Sequence, residues 1–365
     1  MPLKTTAGDH GTVARGRGAT VNPEGRFEKG TREASDEDWF PGGREEGGTA
    51  KPGTVIAIER AKRVVSRNDS PDLGFSLSVN PYRGCAHGCS YCYARPSHAY
   101  LGLSPGIDFE TRLFAKPDAA RLLREELARP GYRCEPINIG SNTDGYQPIE
   151  REQRITRSVL EVLREASHPV TIVTKSALVE RDLDLLAAMA RDGLATVVVS
   201  VTTLDSRLSA RMEPRASAPA RRLEAIRRLA AAGVPVGVNI APVIPFLTDH
   251  EIEAILAEAA RAGAGWAGWS LLRLPWEVKN IFRAWLEHHV PLKAAHVMAR
   301  VNEMRGGRDN DPRFGTRMTG EGLLAQLVRR RVTVARGRLG LAGSPPALAC
   351  DRFRPPGDAR QPGLF

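Results

Sequence analysis

The sequence predicts an α/β fold built on a mostly parallel sheet. Short runs rich in β-branched and aliphatic residues alternate with amphipathic stretches, and this alternation extends from about residue 75 to about residue 275. Strands that alternate with helices are typical of a parallel sheet with right-handed crossovers. The number of strands is compatible with an open partial barrel or with a doubly wound sheet, and periodicity alone does not choose between them.

The elements follow one another in a regular order. The expected strands are Phe75–Asn80, Pro136–Ser141, Val170–Thr174, Thr196–Val201, Val234–Ile240 and Gly268–Leu272. The expected helices between them are Lys116–Ala128, Arg151–Ala166, Arg181–Arg191, Ala218–Ala232 and Asp249–Arg261. In these helices, aliphatic residues recur at spacings of three and four, which indicates one buried face.

Regions of different composition flank this core, which we place at residues 66–275. Residues 1–65 are rich in glycine, proline and charge, so we expect a disordered or loosely packed segment. Residues 276–340 are predicted to form a helical C-terminal extension, with helices at Trp276–Met304 and Glu321–Arg336. Residues 341–365 are expected to form an extended, proline-rich tail.

The composition is that of a soluble globular protein, with 42% hydrophobic and 26% charged residues. No run of about 20 apolar residues occurs, so no membrane span or membrane partner is expected. The N-terminus lacks an apolar secretion core, and the cysteine usage suits a reducing compartment, so we expect a cytoplasmic protein.

The net charge is +10, and the surplus is concentrated near the C-terminus, where residues 301–365 contain 12 Arg against 6 Asp and Glu. Clustered basic charge is typical of proteins that bind nucleic acids. An arginine-rich composition with a solvated surface accounts for the same surplus equally well. Charge therefore makes DNA a candidate partner without deciding the matter.

Three of the five cysteines, Cys85, Cys89 and Cys92, fall within eight positions with the spacing C-x3-C-x2-C. Thiolates this close can bind one metal centre. Iron–sulfur clusters normally take four cysteine ligands. Three ligands would leave one iron with an open position for a substrate or a cofactor.

Two other interpretations of these cysteines are weaker. A structural zinc site needs four ligands, and His87 or His98 could supply the fourth, but the spacing is not that of a common zinc module. A disulfide framework favours an even cysteine count in a short secreted chain. This chain has an odd count and no evident secretion signal.

Polar residues at the ends of the predicted strands suggest a ligand site. Ser141, Asn142 and Thr143 follow the second strand, where they can offer both donors and acceptors. Lys175 ends the third strand and Ser200 lies near the end of the fourth. In parallel α/β barrels, functional groups gather at these carboxyl ends of the strands. A helix N-cap, a surface lysine and a buried core hydroxyl are the ordinary alternatives.

The cysteine motif, with Tyr91 in its aromatic position, resembles the signature of the radical S-adenosylmethionine (SAM) superfamily. The resemblance implies a partial (β/α)6 TIM-like barrel whose cluster loop follows the first strand. It also implies a 4Fe–4S cluster and SAM as cofactors, with a flavodoxin- or ferredoxin-type electron donor. Such enzymes cleave SAM reductively to a 5′-deoxyadenosyl radical, which abstracts hydrogen from a substrate.

Over about residues 75–275 the chain is similar to the spore photoproduct lyase branch, whose relatives include proteins described as DNA-repair photolyase-like. The resemblance implies that Lys175 and Ser200 hold the SAM carboxylate. It also implies that Tyr91 and Tyr93, which flank the third cysteine, assist radical transfer, with Tyr91 among the cofactor-binding residues and Tyr93 as the catalytic one. One position departs from the lyases, because Asn142 stands where they have a hydrogen-donating cysteine.

The last residues, Gln361–Phe365, resemble the short peptide by which bacterial DNA-repair proteins bind the sliding clamp. A frayed tail that ends in two apolar residues is the ordinary alternative. Three functions therefore remain open: a radical SAM enzyme acting on a nucleic-acid lesion, the same chemistry on a small molecule or protein, and a structural or redox-sensing iron–sulfur protein.

Overall fold

The computed structural model describes residues 16–27 and 53–357 of the 365-residue chain. The strands in these ranges are β1 (Val55–Ile58), β2 (Val65–Arg67), β3 (Leu77–Val79), β4 (Tyr82–Arg83), β5 (Arg112–Ala115), β6 (Ile137–Ile139), β7 (Val170–Thr174), β8 (Ala195–Ser200), β9 (Val236–Val243) and β10 (Trp266–Leu271). The α-helices are α1 (Asp108–Thr111), α2 (Ala119–Leu127), α3 (Glu150–Gln153), α4 (Ile155–Glu165), α5 (Leu183–Arg191), α6 (Ser206–Met212), α7 (Pro219–Ala231), α8 (Ile252–Arg261), α9 (Val278–His289), α10 (Pro291–Glu303) and α11 (Gly322–Arg338). Short 3-10 helices cover Arg95–Leu101, Ala177–Asp182 and Asp249–Glu251.

The central sheet has seven strands in the order β2-β3-β6-β7-β8-β9-β10. The six strands from β3 to β10 run parallel, and β2 is an antiparallel edge. Each parallel strand lies beside the next one in the chain, so the sheet is wound in one direction only. A doubly wound sheet reverses its strand order near the middle. The sequential order therefore favours the partial barrel, and the six predicted strands are confirmed.

The two faces of this sheet differ in composition. On the outer face, alternate residues such as Ile139, Ile172 and Val197 are buried in the main hydrophobic core with the surrounding helices. On the inner face, small and polar residues lie in register across neighbouring strands. They include Thr171 and Thr196, whose hydroxyl oxygens are 3.1 Å apart. Small polar side chains on this face occupy less of the space inside the sheet than large aliphatic residues would.

A turn-rich segment of the C-terminal extension closes the gap between the two edges of the sheet. At one edge, the amide of Leu271 in β10 donates to the carbonyl of Met318 (2.8 Å). At the other, Arg317 forms an ion pair with Asp72, in the connection between β2 and β3, with an N–O distance of 2.6 Å. The helices α9 to α11 confirm the predicted helical extension. No helix among the described residues is both long and apolar enough to span a bilayer.

Part of the segment at residues 1–65, for which we predict disorder or loose packing, packs against the core in the structure. Arg17 and Ala19 are buried, and the amides of Gly18 and Ala19 donate to the buried carboxylate of Glu110 at 3.0 and 2.8 Å. A Cβ on Gly18 would lie 1.6 Å from the carbonyl oxygen of Gly88, so only glycine fits. Composition missed this packing because it averages over the whole segment, whereas a few glycine and arginine residues make the contacts.

The described part of the predicted extended tail, residues 341–357, packs on the amino ends of the strands. The amide of Ala349 donates to the carbonyl of Gly193 (2.9 Å), and that of Arg354 to the carbonyl of Ala166 (2.9 Å). The ring of Phe353 lies 5.3 Å from that of Tyr132, measured between centroids. The clamp-like peptide Gln361–Phe365 lies outside the described residues.

Candidate functional site

The three clustered cysteines lie in a compact loop that follows β4. Cys85 and Cys89 are buried and Cys92 is half-buried. Two turns shape the loop, since the amide of Gly88 donates to the Cys85 carbonyl and that of Cys92 to the Cys89 carbonyl, both at 3.2 Å. Burial raises the pKa of the Cys89 and Cys92 thiols, and the neighbouring Cys85 adds to this. A bound metal centre would reverse that effect by stabilising thiolates.

Gln147, which sequence reasoning did not select, fixes the start of the loop. Its side-chain oxygen accepts from the amide of Ala86 (2.8 Å), and its side-chain nitrogen donates to the carbonyl of Gly84 (3.2 Å). Gln147 is fully buried and comes from the turn after β6. The loop is therefore hydrogen-bonded to the neighbouring strand connection on both sides of Cys85.

A buried pair formed by His87 and Asp144 connects the loop to two further strand ends. Nδ1 of His87 lies 3.3 Å from Oδ2 of Asp144, which also accepts from the amide of Lys175 at 2.7 Å. Burial opposes the charged form of His87, but Asp144 and Cys85 outweigh it and raise its pKa to about 10. Burial likewise opposes ionised Asp144, and His87 outweighs it to lower that pKa to about 2. The pair carries opposite charges at neutral pH.

A second buried network holds Tyr91. Its hydroxyl donates to Glu213 and lies 3.1 Å from the hydroxyl of Thr202. Glu213 also accepts from Arg222, which is itself buried. Burial and then Glu213 raise the pKa of Tyr91 well above its ordinary value. Burial would raise the pKa of Glu213, but Arg222 and Lys175 lower it to about 2. Tyr91 is therefore neutral, and its ring is fixed. The sequence analysis did not predict this network of Tyr91, Glu213 and Arg222.

Lys175 and Ser200 lie at the carboxyl ends of β7 and β8, as expected. The ammonium nitrogen of Lys175 is 5.8 Å from the ring centroid of Tyr91, and it donates a long hydrogen bond to the carbonyl of Ala241 (3.4 Å). Within the described ranges no carboxylate lies at ion-pair distance from it. Ser200 is buried beside Asn239 of β9, and its carbonyl accepts from Arg222 (3.0 Å). Lys175 thus retains donors for an anionic ligand.

The predicted turn after β6 is organised by Asn80, a residue that sequence reasoning did not select. The side-chain oxygen of Asn80 accepts from the amides of Asn142 (3.0 Å) and Thr143 (3.3 Å), and its nitrogen donates to the hydroxyl of Ser141 (3.2 Å). The hydroxyl of Thr143 is buried and donates to the carbonyl of Tyr82 (3.1 Å). Cofactor binding by Ser141, Asn142 and Thr143 stays a prediction.

Tyr93 differs from Tyr91 in its environment. Its ring is 48% exposed, and its hydroxyl donates to the carbonyl of Ser141. The guanidinium carbon of Arg273 lies 5.5 Å from its ring centroid. The structure thus brings Tyr93, the cysteine loop and the turn after β6 together, with Tyr93 on the solvent side.

The histidines considered as zinc ligands have other partners. His87 pairs with Asp144, and Nε2 of His98 lies 2.9 Å from the carbonyl oxygen of Arg112. Within residues 16–27 and 53–357, no group of three or more His, Cys, Asp or Glu side chains surrounds a point suited to a single metal ion. Binding of an iron–sulfur cluster by the three cysteines stays a prediction.

Comparisons with known proteins identify the class. Residues 79–259 match the Radical SAM superfamily. The uncharacterized protein Rv2578c of Mycobacterium tuberculosis is 38% identical over 234 residues, which cover 64% of this chain and 68% of that protein. The chain belongs to the radical SAM superfamily, and membership implies SAM and an iron–sulfur cluster.

Among solved structures, the chain is similar to spore photoproduct lyase complexed with dinucleoside spore photoproduct. The TM-score is 0.56 at 17% identity, over 79% of this chain and 80% of the lyase. The lyase variant with bound AdoMet and the same dinucleoside gives a TM-score of 0.54 at 17% identity, over the same shares. At this identity the likeness shows that the fold is shared.

Proposed function

We propose that the protein is an enzyme that binds a 4Fe–4S cluster through Cys85, Cys89 and Cys92 and acts on a nucleic-acid lesion in a lyase-like reaction. When bound, the cluster and SAM supply a 5′-deoxyadenosyl radical that abstracts hydrogen from the substrate. The residues of the chain hold these groups, orient the substrate and exclude water. The observation that carries the enzymatic part is the unpaired ammonium of Lys175 beside the cysteine loop.

The side chains around Lys175 fit the carboxylate of SAM. An ammonium with free donors gives a charge-assisted hydrogen bond to a carboxylate. Ser200 lies at the neighbouring strand end, and Tyr91 borders the same space with a ring that Glu213 holds in place. A purely structural or redox-sensing cluster would not need an unpaired lysine there, so this arrangement supports an enzyme.

Two exposed aromatic residues support nucleic acid as the substrate class. Phe246 and Trp276 follow the carboxyl ends of β9 and β10, with exposures of 48% and 65%. Both have a left-handed backbone, with φ of 63° and 53°, which is costly for a bulky residue. A cation accompanies each ring: Lys293 at 5.9 Å and Arg26 at 4.1 Å from the centroids. Exposed rings beside cations are the usual platform for unstacked bases.

Tyr93 is our candidate for the residue that relays hydrogen to or from the substrate, because its ring is exposed and adjoins Cys92 in the chain. Asn142 carries no exchangeable thiol, so the product radical must be quenched by another donor than a cysteine at this position. Cys134 precedes β6 at the amino end of the strands and cannot substitute. Tyr93 with an external reductant is the arrangement that we favour.

Two protein partners complete the proposal. A flavodoxin- or ferredoxin-type donor is needed to reduce the cluster. Gln361–Phe365 is proposed to bind the sliding clamp, which would bring the enzyme to DNA; deletion of these residues is expected to abolish clamp binding while leaving SAM binding unchanged. Equal clamp binding with and without the peptide would reject this partner.

The test of the proposed function is SAM cleavage by anaerobically reconstituted enzyme, with and without undamaged or ultraviolet-irradiated single-stranded DNA. We expect irradiated DNA to stimulate cleavage, and Phe246→Ala and Trp276→Ala to reduce the stimulation. Val334→Ala, on the exposed face of α11, is the matched control. Cleavage that DNA does not affect would favour a small-molecule or protein substrate, and no cleavage under any condition would favour a structural cluster.

A further inference from the structure

Arg273 is a cation without an anionic partner at the mouth of the lumen. It lies two residues beyond the end of β10, over the exposed ring of Tyr93. Its Nε is buried and makes no hydrogen bond, and its Nη1 contacts only the sulfur of Met318, at 3.7 Å. Within the described residues, no carboxylate lies at ion-pair distance from this guanidinium. Buried polar atoms are rarely left without partners, so the orphaned donors call for a ligand.

The neighbouring arginines are satisfied, which makes Arg273 the exception. Arg317 is paired with Asp72 (2.6 Å). Arg305 is buried and donates to the carbonyls of Leu272 and Arg317, both at 2.7 Å, so its hydrogen bonds are complete. Burial, and then the positive charge of Arg317, lower the pKa of Arg273. A bound anion would therefore offset the repulsion between the positive charges of Arg273 and Arg317. It would also accept hydrogen bonds from the guanidinium of Arg273.

We propose that Arg273 anchors a phosphodiester group of the nucleic-acid substrate and so positions the adjoining nucleotide over Tyr93. The inference rests on the proposed function. The planar guanidinium suits phosphate because it can donate two parallel hydrogen bonds. Trp276, three residues further along the chain, is exposed and offers a ring for a base. Arg273 is in this view a positioning residue for substrate and takes no part in binding SAM.

The experiment measures binding of a short, fluorescently labelled, single-stranded oligodeoxynucleotide to the reconstituted protein over a range of salt concentrations. The variants are Arg273→Met, Arg273→Lys and the control Arg330→Met, which removes an exposed charge on α11. A second oligonucleotide carries neutral methylphosphonate linkages. Iron content and SAM affinity, measured on every variant, report whether the site is intact.

We expect Arg273→Met to weaken binding about tenfold to a hundredfold and to reduce the salt slope by about one. Arg273→Lys should restore part of the affinity, and Arg330→Met should change it little. The neutral linkages should weaken binding by the wild type more than binding by Arg273→Met, because the variant has already lost one phosphate contact. Equal weakening of both proteins by the neutral linkages would overturn the inference, and so would wild-type affinity of Arg273→Met. If the wild type binds no DNA at all, the proposed function fails first and this inference fails with it.

Discussion

At the carboxyl ends of the parallel strands, the side chains beside the cysteine loop are charged and buried. At the amino ends they are mainly aromatic. The pairs His87–Asp144 and Arg222–Glu213 hold the first end. The second end is covered by Tyr132, His168 and Phe353, whose rings lie 5.3 to 5.8 Å apart. Ionic hydrogen bonds thus fix the candidate site residues at the first end, whereas ordinary packing closes the second end.

This difference between the two ends of the strands indicates that the fold places the candidate functional groups at one end and purely stabilising contacts at the other. Ionic networks in a desolvated site fix orientation but are costly when broken. Aromatic packing tolerates change more easily and has no bearing on the chemistry. We therefore expect substitutions at the carboxyl end to affect cofactors or substrate, and substitutions at the amino end to affect stability alone, which is the pattern of barrel enzymes in general.

The largest expected effect is on iron content, and the test compares one cysteine at the carboxyl end of the strands with one at the amino end. Cys89→Ala should abolish binding of the iron–sulfur cluster, because the remaining two thiolates cannot hold it. Cys134→Ala, at the amino end, should leave the iron content unchanged. Iron analysis and the visible absorbance of the reconstituted variants measure both. A normal iron content in Cys89→Ala would refute the cluster assignment.

The second test asks whether the buried ion pair at the carboxyl end contributes more to the free energy of unfolding than a surface pair at the amino end. Arg222→Met leaves the carboxylate of Glu213 buried without its partner, so we expect the free energy of unfolding to fall by about 3–5 kcal/mol. The control, Arg352→Met, breaks an exposed pair with Asp192 (2.8 Å) and should cost at most about 1 kcal/mol. Anaerobic urea denaturation measures both. Equal losses would mean that the ionic network stabilises no more than a surface contact.

The third test concerns Lys175, whose role we expect to be functional and not structural. Lys175→Ala should weaken SAM binding by about tenfold to a hundredfold, the value of one charge-assisted hydrogen bond, with little change in unfolding. Equilibrium binding of SAM to the cluster-loaded protein measures the affinity, and iron analysis confirms the cluster. An unchanged SAM dissociation constant with an intact cluster would show that Lys175 is an ordinary surface residue.

Hydrophobic periodicity and residue spacing were sufficient to predict much of the fold and part of the candidate site. The six parallel strands have strong alternation or β-branched runs, and the cysteine spacing led to the superfamily that the comparisons confirm. Lys175 and Ser200 could be selected because a polar residue at the end of an apolar strand stands out. These signals are local in the sequence, so no knowledge of the packing was needed.

The networks that orient the site could not be predicted in the same way. Hydrogen bonds over 61 to 122 positions of the chain connect these networks, through the side chains of Asn80, Gln147 and Glu213. Nothing in their immediate sequence distinguishes them from exposed polar residues. The packed residues 16–27 were missed for a related reason, since their partner Glu110 is 91 positions from Ala19. Such contacts depend on the finished fold, which the sequence pattern specifies only in outline.

The last and smallest effect tests the amino end by pH. Burial lowers the pKa of His168 to about 4, although its Nδ1 lies 3.0 Å from the carbonyl oxygen of Pro169. Between the ordinary histidine pKa, about 6.5, and the lowered value, the unfolded chain binds a proton that the folded protein does not. The stability contributed by neutral His168 is therefore complete above about pH 6.5 and is lost as the pH falls toward about 4.

From about pH 7 to about pH 5 we expect His168 to account for a loss of roughly 2 kcal/mol in the free energy of unfolding. His168→Gln, which cannot titrate, should remove that part of the dependence while its iron content stays normal, because the residue lies far from the cysteine loop. Urea denaturation of both proteins at several pH values provides the measurement. If the two proteins lose stability in parallel on acidification, the amino end does not respond through His168, and the ionic pairs at the other end become the source of the pH dependence.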